Sequence, residues 1–177
     1  MDSNDVAALL ESAKLPEATV QLCLRGDLQA EWETLERKLS EAKQRGDRRL
    51  TGSAEEAALA RQMRELEQQM ESSTLTVLLR ALPRKPWRKL VESHPPRKGN
   101  DADRMLGLDS STFFDDLVAQ CIVEPVLDAG QLEALLDKLT DAQFGKLSDA
   151  AWGLNRRDVN VPFSRTASRI TTNSDGT

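Results

Sequence analysis

The chain has 177 residues, of which 39% are hydrophobic, 30% charged and only 4% aromatic, with no tyrosine. So much charge on so little apolar material excludes one thick core and points to a modest domain carrying an elongated helical arm. The formal net charge of -5 is the wrong sign for general nucleic-acid binding, which needs a net basic face.

The charge is laid down in blocks. Residues 1–73 hold 10 basic and 15 acidic side chains, residues 74–100 hold 7 and 1, residues 101–155 hold 3 and 11, and residues 156–177 hold 4 and 2. A basic belt therefore lies between two acidic stretches, and such blocks pair within one molecule or between copies. The first residues begin with acids and lack the basic start and apolar run of a secretory signal. No stretch approaches the roughly 18 apolar residues of a membrane span. An intracellular protein with no membrane partner is expected.

In chain order, residues 1–26 form a leader. Residues 4–14 read as a short helix capped by Asn4 or Asp5, with Val6, Leu9, Leu10 and Ala13 on one face. Pro16 interrupts it. Val20, Leu22 and Leu24 then alternate, a pattern compatible with either an extended segment or a turn of helix.

Residues 27–73 read as a helical hairpin. Leu28, Trp32, Leu35, Leu39 and Ala42 step by 4, 3, 4 and 3, the seam of packed helices, with Asp27 at the cap. The stretch from Arg45 to Ser53 is rich in turn formers, and Ser53 with Glu56 makes a capping box for a second helix. Its seam is Leu59, Met63, Leu66 and Met70. Two narrow apolar stripes and one short connection predict an antiparallel, coiled-coil-like pair that leans on the rest of the chain or on a second copy.

Residues 74–160 read as a core of one short strand or small β element followed by a bundle of short helices. Leu75, Val77 and Leu79 alternate, and a lone strand needs a partner, either residues 20–24 or another chain. Pro86 suits the first turn of a helix from Trp87 to Ser93, with Trp87, Leu90 and Val91 inward. Two prolines and a glycine make residues 94–100 a loop. Ser110 or Ser111 then caps a helix with Phe113, Phe114, Leu117, Val118, Cys121 and Ile122 inside, which Glu124 and Pro125 stop. Asp128 with Gln131 and Thr140 with Gln143 make two further capping boxes. They open helices carrying Leu132, Leu135, Leu136 and Leu139, then Phe144, Leu147, Ala150, Ala151 and Leu154. Residues 161–177 read as a flexible basic and polar tail.

Chemistry is sparse. The single histidine, His94, precedes two prolines and has no nucleophile motif beside it, so it reads as a loop histidine fixed by its neighbours. Cys23 and Cys121 sit among apolar residues with no second ligand at metal spacing, and read as buried reduced thiols. Asp101 with Asp103, and Asp115 with Asp116, lack the glycine and glutamate of a calcium loop and read as loop solvation and helix-start acids. No phosphate-cradling glycine loop occurs. A protein without catalytic residues, metal or cofactor is expected, one that acts by binding another protein. The candidate binding residues are Trp32, Met63 and Met70 on the pliable seam, with Arg84, Lys85, Trp87 and Arg88 in the basic belt.

The order of motifs adds a further reading. Leu75, Thr76 and Val77 lead through Arg80 to Pro83, Pro86 with Trp87, Leu90 with Val91, and His94 to Arg97. Gly107 with Leu108, Phe113 or Phe114, Cys121 to Pro125, Leu132, Leu135, Leu136, Leu139, Trp152, Leu154 and Asn155 follow. Upstream stand Lys14 to Ala18 and Leu22 to Asp27. This ordered set resembles the tail assembly chaperones of long-tailed, non-contractile phages of actinobacteria, most firmly over residues 74–156. The resemblance implies a non-enzymatic protein of the host cytoplasm, absent from the mature virion. Such proteins bind the tape-measure protein, keep it from aggregating and help tail-tube subunits polymerise around it. Many are made in two lengths through a programmed ribosomal frameshift, and this chain would be the shorter product. The alternative class is a structural head–tail connector or tail completion protein. In the chaperone reading, homo-oligomers are expected, copies stacking along the client through the opposite charge blocks.

Overall fold

The computed structural model describes residues 3–45 and 54–158. The connection from Gly46 to Ser53, the capping box of Ser53 with Glu56 and the tail expected over 161–177 lie outside the described residues. Helix α1 (Ser3–Ser12) leads into strand β1 (Glu17–Cys23), and α2 (Gly26–Arg45) and α3 (Ala54–Ser72) follow. Then come β2 (Thr74–Arg80), α4 (Arg84–Ser93), α5 (Asp101–Leu106), α6 (Phe113–Cys121), β3 (Ile122–Glu124), α7 (Ala129–Leu136) and α8 (Asp141–Arg156). The described chain is mainly helical, with one small antiparallel sheet of order β1-β2-β3.

β1 and β2 pair along their full length, Glu17 opposite Arg80 and Cys23 opposite Thr74. The alternating stretch after Pro16 is therefore a strand. Thr19 and Val20 are β-branched, and β2 supplies the ladder that an isolated strand lacks. Because successive side chains point to opposite faces, Val20 and Leu22 share one face with Leu75, Val77 and Leu79. Leu22, Val77 and Leu79 are fully buried there. Thr19, Gln21 and Thr76 lie on the other face and are exposed.

β3 corrects the sequence reading. The apolar period carries Ile122 into a helix, but the helix stops at Cys121, and Ile122 and Glu124 pair with Leu79 and Leu78. β2 had a second edge whose backbone groups needed partners, and that demand outweighs another helical turn. Two more corrections follow nearby. Neither Ser110 nor Ser111 caps α6. Ser111 bonds back to Asp109, and Thr112 precedes the helix without a side-chain cap. Asp101 and Asp103 do not solvate a loop but open α5, which Asn100 caps and Gly107 closes at φ 77°, a left-handed conformation suited to glycine.

The sheet's apolar face is roofed by helices. α8 lies on β1 and β2, α6 on β2 and α8, and α4 on α6. Phe113 is the hub, fully buried, with Trp87, Phe114, Trp152 and His94 all at 5.4–5.9 Å in edge-on contact, the arrangement that ring quadrupoles favour. Leu117, Val118, Leu147 and Ala151 fill the space between. Both capping boxes, at Asp128 with Gln131 and at Thr140 with Gln143, form with their two reciprocal bonds. α7 contributes no buried residue.

α2 and α3 stand apart as an arm. They are the connection between β1 and β2, so the sheet's first two strands open into two helices. Trp32 near the start of α2 bonds Glu67 near the end of α3 at 3.0 Å, and Arg45 meets Glu55 at 3.6 Å at the other end. The two helices thus run in opposite directions. At the base, Leu24 N–H donates to the Ser73 carbonyl and the Cys23 thiol to that of Met70.

Candidate partner-binding surface

The arm is packed along a stripe too narrow to seal. Leu28 and Ala42 are the buried residues of α2, and α3 has none. Trp32, Leu35, Met63, Leu66 and Met70 are all half-buried. Two open grooves result. One, of about 370 Å³, is lined by Trp32 and Met70 with Gln29, Glu33 and Glu67. The other, of about 590 Å³, lies between Ala30, Thr34 and Leu35 on α2 and Gln62, Leu66 and Gln69 on α3. Glu67 accepts from the Trp32 indole nitrogen, which fixes the ring along the groove while leaving part of it open.

The basic belt is divided. Arg84 and Lys85 are exposed at the start of α4, and Arg88 pairs loosely with Glu92 at 3.5 Å. Trp87, read from the sequence both as inward and as a candidate binding residue, packs its ring between Phe113 and Trp152 in the aromatic hub, 5.9 and 5.8 Å away. It is a core contact before it is a binding residue. Of the seven candidates, then, Trp32 and Met70 share a groove, and no residue of α4 lines it.

Arg97 and Asp103 form the charged centre that sequence reasoning missed. Asp103 is fully buried. Its carboxylate accepts from the Arg97 guanidinium at 2.5 and 3.0 Å, from the Ser110 hydroxyl at 2.7 Å and from the Ser110 amide at 3.2 Å. The Arg97 side chain also reaches Asp109 at 3.0 Å. Arg97's hydrogen bonds hold the Asp103 carboxyl far below the usual carboxylate range, against the opposing pull of burial, with Ser110 helping. The bonds from Ser111 lower the Asp109 carboxyl too. One end of the basic belt is therefore spent inside the molecule, pinning the 94–100 loop to α5.

His94 is likewise a structural joint. It is the C-cap of α4, buried, with Nδ1 2.9 Å from the Leu90 carbonyl and Nε2 3.2 Å from Asp116. The sequence reading credits the prolines with fixing it, whereas these contacts and the Phe113 ring hold it. Cys121 is buried and reduced, its thiol raised by burial, and Cys23 is free but only half-buried. Among the described residues no group of His, Cys, Asp and Glu is placed to hold a metal.

Comparison with family models, characterised proteins and solved structures gives no match. Among the described residues no helix is long and apolar enough to cross a membrane. The case for function therefore rests on the surface itself, and the most distinctive part of that surface is an arm whose apolar stripe faces both inward and out.

Proposed function

We propose that this chain is a phage tail assembly chaperone. It binds the tape-measure protein in the host cytoplasm, keeps it soluble, promotes assembly of the tail tube around it and leaves before the virion is complete. In this reading α2 and α3 are a coiled-coil-like hairpin that accepts apolar helical stripes of the client, and residues 74–160 are the core that carries it. The chain performs no covalent chemistry, needs no cofactor and contacts neither membrane nor nucleic acid. The exposed Arg84, Lys85 and Arg88 meet acidic residues of the client or of the tail-tube protein.

The observation that carries the proposal is the unsealed seam. A helix of 19 residues without one buried side chain holds Met63, Leu66 and Met70 half-open, and flexible methionine surfaces repack against varied apolar partners. A long helical protein with exposed apolar stripes is the client such a surface fits. Co-expression of the chain with the tape-measure protein tests this. The client is expected in the soluble fraction only when the chain is present, and the chain is expected to be absent from purified particles. A client that is equally soluble alone, or a chain that stays in the particle as a connector would, overturns the reading.

A further inference from the structure

Among the described residues, the outer edge of β1 has strand geometry and no strand paired with it. Ala81 N–H donates to the Pro16 carbonyl and Leu24 N–H to that of Ser73. In an antiparallel ladder the residues that exchange bonds alternate. The even positions 18, 20 and 22 therefore face β2, and Glu17, Thr19 and Gln21 turn their N–H and C=O groups outward. At Cys23 the outward carbonyl is already met by Gln143 at 2.7 Å. The edge carries no proline, lysine or bulge of the kind that blunts such templates.

The edge is also complementary to itself. With Cys23 engaged, the register that satisfies the remaining outward groups places Thr19 opposite Thr19 of a second copy and Glu17 opposite Gln21. The carboxylate of Glu17, anchored by Arg80 at 2.6 Å, then receives the Gln21 amide of the second copy, and two threonines pair at the centre. On the covered face the same register sets Ala18 beside Val20 of the second copy. Both are only half-buried here, and a trough of about 420 Å³ between β1 and α8 includes Pro16 and Ala18, with Ala150, Leu154, Asp149, Arg157 and Asp158 among its lining.

We infer that two copies of this chain pair antiparallel through β1, joining their sheets into one continuous sheet about a two-fold axis at Thr19. This goes beyond the client-binding role, which resides on the arm, so either can fail alone. The full chain is expected to sediment as a dimer that dissociates on dilution, with the Thr19 and Gln21 amides protected from hydrogen exchange only at dimeric concentrations. Thr19→Pro removes an outward N–H and none that β2 uses. It is expected to raise the dimer dissociation constant by at least about tenfold with an unchanged circular dichroism spectrum. Thr19→Lys, which leaves every backbone group in place, serves if the proline variant misfolds. A wild-type chain that is monomeric throughout, or a folded Thr19→Pro or Thr19→Lys variant that dimerises as well as wild type, overturns the inference.

Discussion

The body and the arm of this molecule are built from similar helices and held by different means. In the body, α4, α6 and α8 converge on Phe113 and on one face of a sheet, so each helix has a broad apolar surface to bury. In the arm, α2 and α3 have only each other, and a two-helix stripe leaves most of its apolar side chains half-open. A two-layer body hides its side chains because contacts come from several directions. A pair of helices hides one side of each residue and offers the other.

The sharpest way to break this contrast is to delete a side chain at the hub. Phe113→Ala removes a fully buried ring and is expected to cost about 3–5 kcal/mol of unfolding free energy, read from urea denaturation. A loss under about 1 kcal/mol would mean that the body is no better packed than the arm.

The next effect is electrostatic and depends on pH. Asp103 has its folded carboxyl depressed by Arg97 from an ordinary value of 3.8. Its contribution is therefore fully present above that ordinary value and is lost as pH falls through the folded one. Asp103→Asn is expected to lower the urea midpoint most at pH 7, with the gap to wild type narrowing by pH 3. A gap that stays constant or widens in acid would remove the carboxylate from the account.

Capping gives a smaller, local effect. Thr140→Ala takes away the hydroxyl that receives the Gln143 amide at the start of α8 and is expected to cost about 1 kcal/mol by the same denaturation assay. Nearly no change would show that α8 is held by the sheet alone.

These sites also show what could be read in advance. The capping boxes were legible because their signal is local, one residue bonding another three away. The 74–80 strand was legible from alternation, and its need for a partner left residues 20–24 or another chain open, a choice that the ladder to Glu17–Cys23 decides. β3 was not, since three residues carry no period and their strand character comes from the vacant edge of β2. Asp103 was misread because nothing near it in sequence announces burial. Arg97 and Ser110, six and seven residues away, make burial tolerable, and only the folded loop brings them together. Of the candidate site, the narrow stripes of the arm and the inward side of Trp87 were legible from spacing, whereas the ring partners of Trp87, Phe113 and Trp152, lie far away in sequence and needed the fold to bring them together.

The last effect, modest for the fold, bears most on function. Met63→Gln combined with Met70→Gln replaces two half-buried side chains of α3 with polar ones of similar length and helix preference. Each methionine already meets solvent on one side, so only part of its apolar area leaves water when the arm folds. At roughly 25 cal/mol per Å², the pair is expected to cost no more than about 1–2 kcal/mol, with the helix content unchanged. The same double variant is expected to lose much of its hold on the tape-measure protein in the co-expression assay, because the polar groups would have to be desolvated against an apolar stripe. A large stability loss would place these methionines in a sealed seam. Unchanged client solubility would move the binding surface off the arm, to the exposed apolar side chains Val6, Leu9 and Leu10 of α1 or to the basic end of α4.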